Sequence, residues 1–341
     1  MTALNPKLKV GIIGLGHQVL EDHLPAVKAS SDVELVGIVG VNKEKIESFL
    51  KNHKDAEIYG NFDDLLKNQK PDFIIIAIPH SLHFEIAKKA ILNGIHILKE
   101  KPFAISLSQA RELRDLANKN NVKIAVTLQR RFNPIYSTFF QLIYKIGKPF
   151  YIDAKYCFYT DKPHEGWRGK KELAGGGCLI DMGYHIIDLL MWYFGLPDKI
   201  FAEMSYAAKE GIIYDAEDTA HVIFKYEKEN ICGSLLISRV IPPKQEYINV
   251  YGTRGIIHLE RGKIERYSPS GELYESLKRE DSWPSAAQDQ IEYFVKVIQG
   301  EKENISNPEF HFNHLAFIEA AYKSAKANKY INPKNFLIHE I

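Results

Sequence analysis

KVGIIGLG, residues 9–16, is a short apolar run that ends in glycines, and the pattern it begins decides the fold. A helix-like segment through Leu24 and Val27 comes next, then a second apolar run, VELVGIVG at 33–40, and a charged helical stretch from 43 to 51. The rhythm then repeats. A short helix is expected over about 63–67, with Asp63 and Asp64 as its capping residues. DFIIIAIP at 72–79 reads as a buried strand, FEIAKKAILNG as a helix stopped by Gly94, and IHILKE as another strand. A helix over about 108–118 and the strand VKIAVTL at 122–128 close the series. Apolar strands alternating with helices predict a doubly wound parallel sheet, the Rossmann arrangement.

Gly11, Gly14 and Gly16 lie between the first strand and the first helix. There, glycine lets backbone N–H groups approach a pyrophosphate at a helix N-terminus, so the loop reads as a dinucleotide site. Val19 stands where a third Gly or Ala is usual, so the alternating context carries the reading against that of a plain strand–helix turn. The second strand ends GIVGVNKEK, without the acid that would bind both ribose hydroxyls and repel a 2′-phosphate. Asn42 offers a hydrogen-bond donor and Lys43 a positive charge. The expected cofactor is therefore NAD(P), with NADP modestly favoured over NAD; Lys43 as a solvated helix start is the plainer alternative.

After about residue 130 the rhythm changes. FYIDAKYCFY, DTAHVIFKYE, ICGSLLISR and YINVYGT are longer strands with few helices between them. Ala220, Val222, Phe224 and Tyr226 alternate with Thr219, His221 and Lys225, the mark of a sheet with one covered face. The expected organisation is a dinucleotide-binding domain over 7–128 and a second domain over 129–341. The second is α+β, with a large, mostly antiparallel sheet, a helix over 178–194 and two closing helices near 286–299 and 309–327.

GGGCLIDMGYHIIDLL at 175–190 and LKEKP at 98–102 carry the candidate chemistry. Asp181, His185 and Asp188 stand at i, i+4 and i+7, one face of a single helix. Lys101 lies between an acid and a proline just after an apolar strand. Lys, Asp and His are the groups needed to move a proton off or onto a hydroxyl, and beside a nucleotide loop they point to hydride transfer at an alcohol or ketone. Histidine, with an ordinary pKa of about 6.5, suits proton exchange near neutrality. A lysine near 10.4 suits stabilisation of a developing alkoxide. Asp188, amid Ile186, Ile187, Leu189 and Leu190, reads as structural. His311 and His314 at i, i+3 lack a third ligand and read as helix surface, so no metal is expected. Tyr184, Trp192, Tyr193 and Phe194 read as core or subunit interface.

Bulk properties narrow the class. A chain of 341 residues with 45% hydrophobic and 26% charged residues implies two domains of ordinary globular composition. A formal net charge of +1 gives no electrostatic reason to expect nucleic acid or an acidic membrane as partner. MTALNPKLKV lacks the apolar core of a signal peptide, and no run of 18 or more apolar residues occurs later in the chain. Cys157, Cys178 and Cys232 are widely spaced and odd in number, so they read as small buried hydrophobes in a reducing compartment. The expected location is cytoplasmic.

GIIGLG, IPHSLHFEIA at 78–87, LKEKPFAIS at 98–106 and GGGCLIDMGYHIIDLLMWYFG at 175–195 together resemble the glucose–fructose oxidoreductase, inositol dehydrogenase and MocA-like family. The motifs stand in that family's order and cover essentially the whole chain. The resemblance implies a Rossmann domain followed by an α/β domain with an open-faced sheet, used for homodimer or homotetramer contacts. It implies that Lys101 lies near the nicotinamide and the reacting hydroxyl, with Asp181 and His185 completing the catalytic group. It further implies that Pro79 and His83 line the cofactor ribose and that Glu100 lies near the nicotinamide ribose. Gln129 falls where the family borders the nicotinamide; Arg130, Trp167 and Arg168 fall where it meets substrate. The implied activity is hydride transfer between NAD(P) and a ring hydroxyl or ketone of a sugar, cyclitol or sugar derivative. Cofactor-bound sugar sensors and glycosidases that oxidise their substrate transiently belong to the same family, and the intact Lys101, Asp181 and His185 set argues against a sensor.

Overall fold

Val10 and Ile12 have no exposed surface because their strand, β1 (Leu8–Ile13), runs down the centre of a six-stranded sheet. The other strands are β2 (Val33–Val39), β3 (Ile58–Tyr59), β4 (Phe73–Ile76), β5 (His96–Lys99) and β6 (Ile124–Val126). Every pairing is parallel, in the order β3-β2-β1-β4-β5-β6. This is the doubly wound order that the alternation predicted, with its switch point between β1 and β4, where ligands bind beyond the carboxyl ends of the strands. All four residues of β4 are completely buried, as a strand covered on both faces requires. Gly94 ends the helix His80–Leu92 as expected: its φ is +72°, its N–H bonds to Ile91 O, and Ile95 N–H bonds to Ala90 O.

The computed structural model describes residues 6–206, 208, 210–279 and 283–338, which group into two compact units. The first comprises 6–104, 108–132 and 283–309. The helix Trp283–Ile298, expected in the second domain, therefore belongs to the first unit. Phe294 meets Phe73 edge-on at 5.6 Å, Ile291 and Val295 join the core around Val10 and Ile12, and Gln290 donates to Val126 O. An apolar helix face does not announce which sheet it covers. Asn61, rather than Asp63 or Asp64, caps the helix Phe62–Gln69, accepting from Asp64 N–H at 2.9 Å.

The second unit takes in 105–107 and the described residues from 133 to 279 and from 310 to 338. Its eight strands are β7 (Pro149–Tyr159), β8 (Lys199–Ser205), β9 (Thr219–Tyr226), β10 (Ile231–Ser238), β11 (Val240–Gly252), β12 (Gly255–Glu260), β13 (Lys263–Tyr267) and β14 (Leu273–Lys278). They order β14-β13-β12-β11-β7-β10-β9-β8, antiparallel throughout except for the β7–β10 pair. The predicted alternation in β9 is seen: Ala220, Val222, Phe224 and Tyr226 are buried, while His221 and Ile223 are exposed. The helix Pro308–Ala327 covers the buried face, with Phe317 against Phe224 and Ser324 Oγ accepting from Ala202 N–H. Cys157 and Cys178 are buried as expected, but Cys232 lies on the uncovered face and is exposed. No single helix among the described residues is long and apolar enough to cross a membrane.

Candidate active site

Gly14 follows β1 with φ +119°, and a Cβ there would come within 2.2 Å of Ala77 O, so the turn against the end of β4 admits glycine alone. At Gly16 a Cβ would meet nothing within 4 Å, so packing does not demand glycine there. Gly11, expected in this loop, instead lies inside β1, where a Cβ would press on Leu65 Cδ2 at 2.8 Å. Its smallness serves the packing of helix on sheet. Val19 is fully buried and begins a wide turn in which Leu24 N–H reaches back five residues to Val19 O. The helix thus starts differently from one built on a third glycine.

Asn42 caps the helix Lys43–Leu50, its Oδ1 accepting from Lys45 N–H at 2.9 Å, which leaves the amide Nδ2 as its donor. Lys43 is exposed. Pro79 begins the helix carrying His83, whose Nε2 lies 2.8 Å from Ile78 O and must therefore hold the ring hydrogen. Burial, then the charges of Lys99, His80 and Lys101, push His83 well below the ordinary histidine range. Among the described residues its Nδ1 is a buried acceptor with no donor, and Gln129 Nε2 is a buried donor with no acceptor. These two groups and the glycine loop fit a cofactor rich in hydroxyls, phosphates and carbonyl groups.

Glu100 and Lys101 come directly after β5. His23 Nε2 lies 2.8 Å from Glu100 Oε1. Burial raises the Glu100 carboxyl, but the hydrogen bond and charge of His23, with Lys101, outweigh it and hold the group below the usual carboxylate range. Lys99 was not foreseen as a site residue. It is fully buried, and its ammonium donates to Pro102 O at 3.2 Å and Phe103 O at 2.5 Å, tethering the segment just after Lys101. Burial, countered by Glu100, lowers it to about 7. Between that value and 10.5 the unfolded chain binds a proton that the folded chain does not, so stability rises with pH there. Urea unfolding at pH 7 and pH 9 is expected to show wild-type stability climbing relative to Lys99→Met by up to roughly 1.4 kcal/mol per pH unit. Parallel pH dependences would remove this assignment. Arg130 and Arg131 are buried in the turn Gln129–Phe132, and Arg131 Nη1 donates to Ile305 O at 2.5 Å.

In the second unit, Asp181 and His185 do not share a helix. The helical segment that ends at Asp181 is bent by 52° from the helix Tyr184–Phe194. Gly183 sits in the break, where a Cβ would lie 2.3 Å from Leu179 O. The i, i+4, i+7 face expected for Asp181, His185 and Asp188 is thus interrupted. Asp181 is buried and accepts from Arg168 Nε at 3.0 Å, while the Arg168 guanidinium lies 4.3 Å over the Trp167 ring. Across residues 176–191, all of them described, His185 alone is not buried. Asp188 pairs with His314, and both His311 and His314 have no exposed surface, against the expectation of a helix surface. Arg239, at the β10–β11 junction, is a further residue that sequence reasoning missed. It is buried, its Nη1 donates to Arg168 O at 3.1 Å, and its Nε and Nη2 have no acceptor among the described residues. Among the described residues no cluster of three His, Cys, Asp or Glu side chains is arranged to hold a metal ion.

A Rossmann unit with this loop, followed by this sheet, defines a class: NAD-binding oxidoreductases. Residues 8–128 match the family model described as "Oxidoreductase family, NAD-binding Rossmann fold", and residues 144–258 match the GFO/IDH/MocA C-terminal domain. The chain belongs to the Gfo/Idh/MocA family of oxidoreductases. D-glucoside 3-dehydrogenase of Escherichia coli is 25% identical over 336 residues, covering 94% of this chain and 95% of its own. The NADP(+) scyllo-inositol 2-dehydrogenase of Bacillus subtilis is 24% identical, with 95% of each chain covered. An oxidoreductase structure from Thermotoga maritima superposes with a TM-score of 0.84 over 97% of this chain and 100% of its own, at 24% identity; it shows the shared fold.

Proposed function

We propose that this protein transfers hydride between NAD(P) and a ring hydroxyl or ketone of a sugar, cyclitol or sugar derivative, with His185 as general acid/base. The observation that carries the reading is the partial exposure of His185, half-buried within an otherwise buried run. A proton-transfer group must reach both substrate and solvent, whereas a packing histidine has no need to. Lys101 stabilises the developing alkoxide, and Asp181, held by Arg168, orients the substrate. Trp167, Arg168 and Arg130 contact the substrate. Gly14, Gly16, Pro79, His83, Glu100 and Gln129 bind the cofactor, which when bound supplies the hydride donor or acceptor. The two relatives whose names specify a ring carbon support the substrate class. The uncovered face of the second sheet, with Tyr151 and Ile223 exposed, supports assembly into a dimer or tetramer, which light scattering on the purified protein tests.

The test is absorbance at 340 nm with a panel of cyclitols, aldoses, sugar nucleotides and their ketones, offered with each cofactor in both redox states. One substrate giving a change with time supports the reading. A flat panel, with cofactor binding verified, counts against it. We further propose that the loop at Asn42 and Lys43 favours NADP. Asn42→Asp keeps the helix cap, because Asp serves there as well as Asn, and places a carboxylate where a 2′-phosphate would lie. The NAD-to-NADP ratio of kcat/KM should rise by roughly tenfold; an unchanged ratio would remove Asn42 from cofactor selection.

A further inference from the structure

The helix Pro308–Ala327 turns two histidines onto the helix Tyr184–Phe194, and all four side chains in contact, Tyr184, Asp188, His311 and His314, are buried. Tyr184 Oη lies 2.8 Å from His311 Nδ1, and Asp188 Oδ1 lies 2.8 Å from His314 Nε2. The Tyr184 ring stacks on both imidazoles, with centroids 5.9 and 5.2 Å apart. Positions 184 and 188 are one helical turn apart, as are 311 and 314. The contacts therefore form two rungs between the helices, bracketing His185 in the chain.

The second nitrogen of His314 sets the chemistry of the lower rung. Nδ1 lies 2.7 Å from Phe310 O. A carbonyl cannot donate, so Nδ1 carries a hydrogen. Nε2 faces a carboxyl group, and a further proton lies on that contact. A proton on that contact makes it charge-assisted, with the ring as donor and the ionised carboxyl as acceptor. His314 is then an imidazolium and Asp188 a carboxylate.

We propose that Asp188 and His314 are positioning residues, a buried ion pair that seats the helix Tyr184–Phe194 on Pro308–Ala327 and thereby fixes the direction of His185. This rests on the reading of His185 as the proton-transfer group. Proton transfer tolerates little displacement, since a shift of about 1 Å costs on the order of 100-fold in rate. Removing one partner of such a pair leaves the other buried and uncompensated. Asp188→Asn avoids this: a neutral His314 keeps its Nδ1 bond to Phe310 while Nε2 accepts from the new amide.

Asp188→Ala is expected to lower kcat by about tenfold or more, with substrate KM and NAD(P) affinity within about threefold of wild type. Asp188→Asn is expected to recover most of that loss, a split that mere filling of space would not produce. Nitrogen-15 NMR of histidine-labelled wild-type protein at pH 8, with His314→Gln to assign the signals, should show both His314 ring nitrogens protonated. Wild-type kcat in Asp188→Ala, an Asp188→Asn variant as slow as Asp188→Ala, or a single protonated nitrogen on His314 would each overturn the proposal. The NMR experiment needs no turnover and decides the ion pair even where Asp188→Ala does not fold. Full turnover in His185→Ala combined with a doubly protonated His314 would sink the catalytic reading, and with it the positioning role, while leaving the ion pair in place.

Discussion

Replacing His185 with alanine is expected to lower kcat by at least about 100-fold while NAD(P) binds with nearly unchanged affinity. The loss falls on kcat because, in the proposed reaction, the imidazole takes or gives the substrate proton as hydride moves, and alanine leaves no group to do so. The affinity survives because His185 belongs to the second unit, whereas the dinucleotide loop is built by β1 and β4 of the first. Its neighbours Tyr184, Ile186 and Ile187 are buried whereas His185 is half-buried, so the substitution costs less stability than one in the core around it, and a thermal melt checks that the variant is folded. Steady-state kinetics together with a cofactor titration check both halves. Turnover at the wild-type level would take His185 out of the mechanism.

Lys101→Ala is expected to have a comparable effect, at least about 100-fold in kcat, for an electrostatic reason. An alkoxide developing on substrate is stabilised by a fixed ammonium, and Lys101 is held by its flanks. Glu100 on one side is tied to His23, and the carbonyls of Pro102 and Phe103 on the other receive the buried Lys99 ammonium. Lys101→Arg, which keeps the charge but moves it, should restore part of the loss. A Lys101→Arg variant no better than Lys101→Ala, with both folded, would point to proton transfer in place of charge stabilisation. Wild-type turnover in Lys101→Ala would exclude the residue altogether.

Much of this was legible in the chain because it is local. Short apolar runs such as FIII at 73–76 suit strands covered on both faces, and their alternation with helices implied the doubly wound parallel sheet that the first unit shows. The Gly14–Gly16 turn and the EKP segment were readable for the same reason: a backbone demand writes itself into neighbouring residues. The features that stayed hidden depend on partners far along the chain. His311 and His314 looked like surface residues because Tyr184 and Asp188, which bury them, lie 127 and 126 positions away. The break at Gly183 falls within a stretch whose spacing suits one continuous helix, and only the close approach of Leu179 O, which leaves no room for a Cβ, marks the position. Gly11 was drawn into the cofactor loop by spacing alone, although it lies inside a strand. Lys99 did leave a signal, a lysine inside the buried strand HILK, and Arg239 left a fainter one at the end of an apolar strand.

In the proposed reaction hydride passes between nicotinamide and a carbohydrate carbon. Tracking deuterium from NAD(P)H that carries deuterium at both positions of nicotinamide C4 into the sugar product, by mass spectrometry and NMR, with the ketone identified in the substrate panel, tests this step. One deuterium per turnover is expected, bound to a single ring carbon, with the cofactor recovered oxidised. Product carrying no deuterium, or a hydrolysed glycoside accompanied by unchanged cofactor, would contradict it.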